Sequence, residues 1–133
     1  MYEIAAIGEF TILVYWPLPT YWCIFSVTPT KLSTKYSAER VLKIMLEIET
    51  ELGRVRVEKW GERLIDIDII FFNDEIIETS DLCIPHKHMH ERNFVLEPLN
   101  EIASAFIHPK YNKTVSELLK DSKDTERVEA YAI

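Results

Sequence analysis

Residues 60–72 read Trp-Gly-Glu-Arg-Leu-Ile-Asp-Ile-Asp-Ile-Ile-Phe-Phe, an apolar run broken twice by aspartate. On a strand the side chains alternate faces, so Asp66 and Asp68 point the same way, roughly 7 Å apart. Ile65, Ile67 and Ile69 form a core row on the opposite face. Two carboxylates at neighbouring same-face positions repel each other and are costly to desolvate. A divalent cation removes that cost, and hard oxygen donors suit Mg²⁺. A solvated strand face would carry two ordinary charges as well, although aspartate is depleted in strands.

Just upstream, Arg54, Arg56, Lys59 and Arg63 fall within ten residues of an otherwise acidic chain of net charge −7. Guanidinium groups beside a cation-binding acid pair are what phosphoryl transfer requires, because cation and arginine share the phosphate charge. Any single one of these arginines could instead pair with a surface glutamate. His86, His88 and His90 alternate, and a strand would bring all three to one face in the manner of a zinc site. A turn leading into a helix is the competing reading for His88 and His90, and His108, before Pro109, reads as structural or solvated.

The elements that must position these groups are legible in part. Phe10–Tyr15 reads as a strand, followed by a turn-rich loop broken at Pro17 and Pro19. Ser37 then has the character of an N-cap, with Glu39 favourable to the helix dipole. Val41, Leu42, Met45, Ile48 and Leu52 follow helical spacing and Gly53 supplies a stop, which predicts a helix over 38–52. A strand is expected over 64–72, with Glu75–Glu78 pairing back as a short hairpin arm after the Asn73-Asp74 turn. Pro85 ends the short apolar stretch Leu82–Ile84. Helices are expected at 91–97, ending before Pro98, and at 114–121 behind a Thr114 cap. Strands and helices mix without a regular βαβ repeat, so the class is α+β.

The chain has 133 residues, 47 % hydrophobic and 28 % charged, which suits one globular domain. Its negative charge argues against nucleic acid or an anionic membrane as a partner. Cys23 and Cys83 form no metal-binding pattern and fit a reducing compartment. Phe10–Trp16 is too short to span a bilayer, and a basic start with a small-residue cleavage site is lacking. The expected location is therefore cytoplasmic.

"WGERLIDIDII" resembles the signature of the 6-hydroxymethyl-7,8-dihydropterin pyrophosphokinase family of folate biosynthesis. The likeness runs upstream through "IETELGRVR" and downstream through "IPHKHMHERNFVLEPLNEIA", over roughly residues 32–109. It implies a ferredoxin-like antiparallel sheet with helices packed on it. The implied activity is transfer of pyrophosphate from ATP to the pterin's hydroxymethyl oxygen, with AMP as the other product. Asp66 and Asp68 would hold two Mg²⁺ ions. Arg63, Arg54 or Arg56, His86 and Arg92 would contact phosphates, and Glu49 would sit on the nucleotide side. Phe94 matches a pterin-stacking aromatic, Phe25 falls where a second one stands, and Trp60 belongs to a loop closing over both substrates. Such chemistry needs placement and charge neutralisation more than covalent catalysis, and a flat pterin needs flat apolar faces.

The first 31 residues depart from the family. Its opening Gly-Ser-Asn turn is absent, and if "IGEFTILVYWPLPTYW" aligns with the family's second strand and following loop, the opening strand and helix are missing, of which the strand is central in a ferredoxin-like sheet. Three expectations follow: the segment 4–16 is recruited as a replacement strand, the chain is a fragment or begins at a misassigned codon, or a partner covers the gap. The family's pterin-binding asparagine falls at Val27. An alternative to an active enzyme is thus a homologue that binds ATP and Mg²⁺ with weak or no catalysis. A Mg²⁺-dependent protein unrelated to the family, sharing Asp-x-Asp by chance, is the third reading.

Overall fold

The computed structural model describes residues 8–17, 25–52 and 66–129. Three antiparallel strands form the main sheet: β1 (Gly8–Pro17), β2 (Phe25–Thr34) and β3 (Asp66–Phe72), in the order β2-β1-β3. β1 pairs along its whole length with β2, from Gly8 opposite Thr34 to Pro17 opposite Phe25. On its other side β1 pairs with β3, from Phe10 opposite Phe72 to Tyr15 opposite Asp66. Residues 8–17 thus supply the middle strand of this sheet among the described residues. The architecture is α+β and ferredoxin-like in kind, with helices packed on an antiparallel sheet.

Helix α1 (Ala38–Glu51) starts where the capping signal placed it. The Ser37 hydroxyl accepts the Arg40 N–H at 3.3 Å, and the Leu52 N–H closes the far end onto Ile48. Its buried stripe of Ala38, Val41 and Met45 packs on Phe10, Ile12, Ile69 and Phe72 of the sheet. A two-stranded hairpin of β4 (Ile77–Glu78) and β5 (Cys83–Ile84) joins the same layer through Leu82 and Ile84. The predicted hairpin arm therefore pairs with the stretch before Pro85 and not with the long strand.

The other face of the sheet is also a core. Leu13, Ile70 and Phe71 are covered there by α2 (Asn93–Ala103) and α3 (Val115–Asp121), through Val95, Leu96, Leu99, Val115 and Leu118. A bulge makes this possible: the register steps from Thr11 opposite Phe71 to Ile12 opposite Ile69, which leaves Ile70 as the extra residue. Ile70 and Phe71 consequently join the same layer, while Phe72 returns to the α1 side. Asp66 and Asp68 precede the bulge, on the face of Ile70.

One element was not read from the sequence, and one expectation needs correction. Residues 25–34 form β2, with Pro29 opposite Leu13. Proline is tolerated there because β2 is the last strand on that side among the described residues, where a ladder N–H is dispensable. The second helix was to end before Pro98, yet α2 continues through it to Ala103. Burial of Leu96 and Leu99 on either side of Pro98 outweighs the one lost backbone bond. Thr114 caps α3 as expected, its hydroxyl accepting the Glu117 N–H at 3.1 Å.

Gly8 lies close against Asn73: a Cβ there would stand 2.8 Å from the Asn73 amide nitrogen. That amide's oxygen accepts the Glu9 N–H at 2.9 Å, with Asn73 itself at φ 49°, so the start of β1 is pinned to the end of β3. This anchor holds the register that brings Tyr15 opposite Asp66.

Candidate functional site

Asp66 and Asp68 lie at the beginning of β3, partly exposed, where the α2 layer ends. Asp68 is the better defined of the two. His86 Nε2 stands 3.8 Å from its Oδ2. The pKa of the Tyr15 phenol of β1 is driven far upward, first by burial and then by the charge of Asp68, so it stays protonated at any working pH. The His86 backbone N–H donates to Ile70 C=O at 3.0 Å, which ties the segment after β5 to the free edge of β3. Burial lowers the His86 pKa, outweighing the attraction of Asp68, so its imidazole is neutral near pH 7.

Arg92 and Phe94 enter from the start of α2. The Arg92 guanidinium lies over the Phe94 ring, 5.5 Å from its centre, and Tyr15 meets that ring edge-on at 6.0 Å. Arg92 occupies the N-cap position without a capping side-chain bond. Asp124 supplies the missing cap from the returning C-terminal segment: its Oδ2 accepts the Asn93 N–H at 2.8 Å, and its C=O accepts from Asn93 Nδ2 at 3.0 Å. Hydrogen bonds from the backbones of Glu126 and Asn93 hold the Asp124 carboxyl below its usual range.

Beyond His86 a cavity of about 560 Å³ opens, lined among others by Glu78, Cys83, Lys87, His90, Lys110 and Tyr111. Its size suits a nucleoside. The three alternating histidines share it but do not converge on a common point. They lie on a turn and a 3₁₀ segment rather than a strand: His88 pairs with Glu91 at 3.1 Å, and the half-buried His90 stacks on Tyr111 at 4.6 Å. Among the described residues no group of three or more His, Cys, Asp or Glu is arranged to hold a metal ion. A cation whose remaining ligands are water and phosphate oxygens needs only the two carboxylates. Asp66 and Asp68 are the residues that could hold such a cation. His108 is structural: it is 2 % exposed, and its Nδ1 accepts the N–H groups of Lys110 and Tyr111.

Glu49 stands apart. It is a buried residue of α1, on the opposite layer, and its Oε1 accepts the Ile67 N–H at 2.9 Å. That N–H faces away from β1, so the carboxylate satisfies an edge of β3. Glu49→Ala should destabilise the chain by about 1–3 kcal/mol, because a buried donor loses its acceptor. Glu49→Gln should recover most of that; urea unfolding midpoints measure both.

Arg54, Arg56, Trp60 and Arg63 lie outside the described residues, as do Leu64 and Ile65 of the expected strand and Cys23. Phe25 opens β2 opposite Pro17, but its side chain is likewise outside the description. Sequence reasoning missed Tyr15, which looked like one more residue of an apolar strand, and Asp124, whose partner is 31 positions away. No short-range pattern signals either contact.

An acid pair on a strand, a neutral histidine beside it, and an arginine and a phenylalanine at a helix start thus stand at one end of the sheet. All of them lie within residues 22–104, which match the family model described as 7,8-dihydro-6-hydroxymethylpterin-pyrophosphokinase (HPPK). The chain belongs to this family. The match begins at residue 22, ahead of the 32 at which the resemblance was first legible.

The chain is 42 % identical over 98 residues to the 2-amino-4-hydroxy-6-hydroxymethyldihydropteridine pyrophosphokinase of Haemophilus influenzae, covering 74 % of this chain and 61 % of that protein. It is 43 % identical over 89 residues to the protein of the same name from Synechocystis sp., covering 67 % and 46 %. It is 48 % identical over 88 residues to Folic acid synthesis protein FOL1 of Dictyostelium discoideum, covering 66 % of this chain and 13 % of that protein. The chain thus spans about half the length of the relatives named 2-amino-4-hydroxy-6-hydroxymethyldihydropteridine pyrophosphokinase that it matches. No helix among the described residues is long and apolar enough to cross a membrane.

Proposed function

We propose that this chain transfers the β,γ-pyrophosphoryl group of ATP to the hydroxymethyl oxygen of 6-hydroxymethyl-7,8-dihydropterin, releasing AMP. The observation that carries this reading is the Asp66–Asp68 pair standing beside His86 and the Arg92–Phe94 unit, inside the matched region. Asp66 and Asp68 would hold Mg²⁺, two ions in the fullest form of the reading. When bound, Mg²⁺ supplies charge neutralisation along the triphosphate and raises the acidity of the attacking hydroxyl.

The chain's own groups do the rest. The Arg92 guanidinium meets phosphate oxygens, and Arg54, Arg56 and Arg63 add to that clamp from the basic loop. His86, neutral, presents a ring nitrogen to phosphate at the wall between the acid pair and the cavity beyond it. That cavity takes the nucleoside. Phe94 offers a flat face to the pterin, with Phe25 and Trp60 completing the enclosure, and Glu49 keeps the edge of β3 in place from beneath. In-line attack then needs only that the hydroxymethyl oxygen and the β-phosphorus be held in line while water is excluded.

The test is AMP formation from ATP, which should require both Mg²⁺ and the hydroxymethyl pterin. A well-folded chain that makes no AMP at saturating substrates overturns the reading. Nucleotide binding without pterin binding, by calorimetry, would select the non-catalytic homologue, for which Val27 in place of a polar group is the specific argument. Phe94→Ala should weaken pterin binding about tenfold with nucleotide affinity unchanged, since a stacked aromatic pair is worth roughly 0.5–1.5 kcal/mol. Unaltered pterin affinity would remove Phe94 from the site.

A further inference from the structure

We propose that Asp124 is a positioning residue of this site: from the C-terminal segment it clamps Asn93, and so holds Arg92 and Phe94 where they meet phosphate and pterin. The inference rests on the reading of Arg92 and Phe94 as ligand contacts and goes beyond it. Asp124 lies outside the matched residues 22–104, in the segment that follows α3.

Asn93 links the two ligand-facing side chains, and Asp124 holds it twice. Asp124 Oδ2 accepts the Asn93 N–H at 2.8 Å, and the Asp124 C=O accepts from Asn93 Nδ2 at 3.0 Å. The clamp is itself supported. Asp124 Oδ1 accepts the Glu126 N–H at 3.0 Å, and the Asp124 N–H donates to Ser122 Oγ at 3.2 Å. Ser122 ends α3 with its own N–H on Leu119 C=O, and α3 packs against α2 through Val115 and Leu118. The N–H groups of a first helical turn have no partner within the helix, and a turn left without an acceptor frays. Arginine has no acceptor to offer. The Arg92 guanidinium therefore lies over the Phe94 ring, 5.5 Å from its centre, and the acceptor comes from Asp124. A carboxylate at this end also suits the helix dipole. A long side chain magnifies any tilt of the backbone that carries it, so fraying here displaces guanidinium and ring together.

A carboxylate can cap a helix for stability alone, so the test must read more than a melting temperature. The probes are 6-hydroxymethyl-7,8-dihydropterin and a non-hydrolysable ATP analogue with Mg²⁺, titrated by calorimetry well below the melting transition. Asp124→Ala should weaken binding of each about tenfold. Asp124→Asn should recover most of both, because its amide oxygen still accepts the Asn93 N–H. In a Phe94→Ala background Asp124→Ala should cost no further pterin affinity. In an Arg92→Ala background it should cost no further affinity for the analogue.

Wild-type affinities in folded Asp124→Ala, or undiminished losses in the two variant backgrounds, overturn the inference. Should Asp124→Ala impair folding, the unmodified chain still decides, because coupling between cap and ligand is reciprocal. Exchange of the Asn93 amide hydrogen should slow when both ligands are added, and an unchanged rate refutes the coupling. A wild-type chain that binds both ligands but forms no AMP defeats the proposed reaction alone. A wild-type chain that binds neither ligand defeats both.

Discussion

Asp68→Asn should lower the rate of AMP formation by about a thousandfold or more, roughly 4 kcal/mol of transition-state stabilisation, while the chain folds normally. The substitution is nearly isosteric and removes one negative charge from a pair two positions apart on β3. The nearby His86 loses the attraction that opposes its desolvation, and its ring stays neutral. Folding therefore loses no buried partner, and relief of carboxylate repulsion favours the folded chain. What disappears is an anionic oxygen donor, and Mg²⁺ binds neutral amide oxygens far less strongly. The measurement is AMP release at saturating ATP and pterin, alongside a thermal melt. A normal rate in folded protein would show that Asp68 does not hold the cation.

Acidification should destabilise the fold in a window set by His108, with about 2 kcal/mol lost by about pH 5 and about 3 by about pH 4. The imidazole is buried beneath Phe71 and Tyr111, and burial pushes its pKa from 6.5 down to about 4. Between those values the unfolded chain takes up a proton that the folded chain refuses. Stability from this group is therefore complete above pH 6.5 and declines as pH falls toward 4. The cause is concrete: Nδ1 accepts the N–H groups of Lys110 and Tyr111, and protonation would turn that acceptor into a donor facing two donors.

His108→Asn keeps an acceptor that cannot be protonated. It should cost some stability near neutrality through lost ring packing, yet show a shallower decline on acidification. Urea midpoints at pH 7 and pH 5 check this, and equal slopes in both proteins would refute it. His86, also shifted downward, contributes in the same direction, which is why the comparison with the variant is needed. Asp121, Asp124 and Glu78 are held below their ordinary carboxylate values, so their contributions vanish only at still lower pH.

Much of the site was legible from local pattern alone. Period-two alternation placed Asp66 and Asp68 on one face of a strand, and the Ser37 and Thr114 caps located two helices, because both signals operate over a few residues. The errors have an equally physical source. Pro98 read as a break because proline penalises local structure, but a well-packed helix absorbed the penalty. Likewise, the apolar strand 64–72 was expected to have one core face. The Ile70 bulge, visible only once Thr11 and Ile12 are paired with it, gave it two.

The amino-acid order by itself determined that an acid pair would stand beside basic and aromatic groups in a small α+β domain, since type and spacing decide which side chains share a strand face. Only the tertiary structure decided which strand lies at the centre, that Tyr15 meets Phe94 edge-on, and that Asp124 caps α2. Those outcomes depend on contacts between residues far apart in the chain. Their energies come from shared burial across layers, which no local pattern encodes.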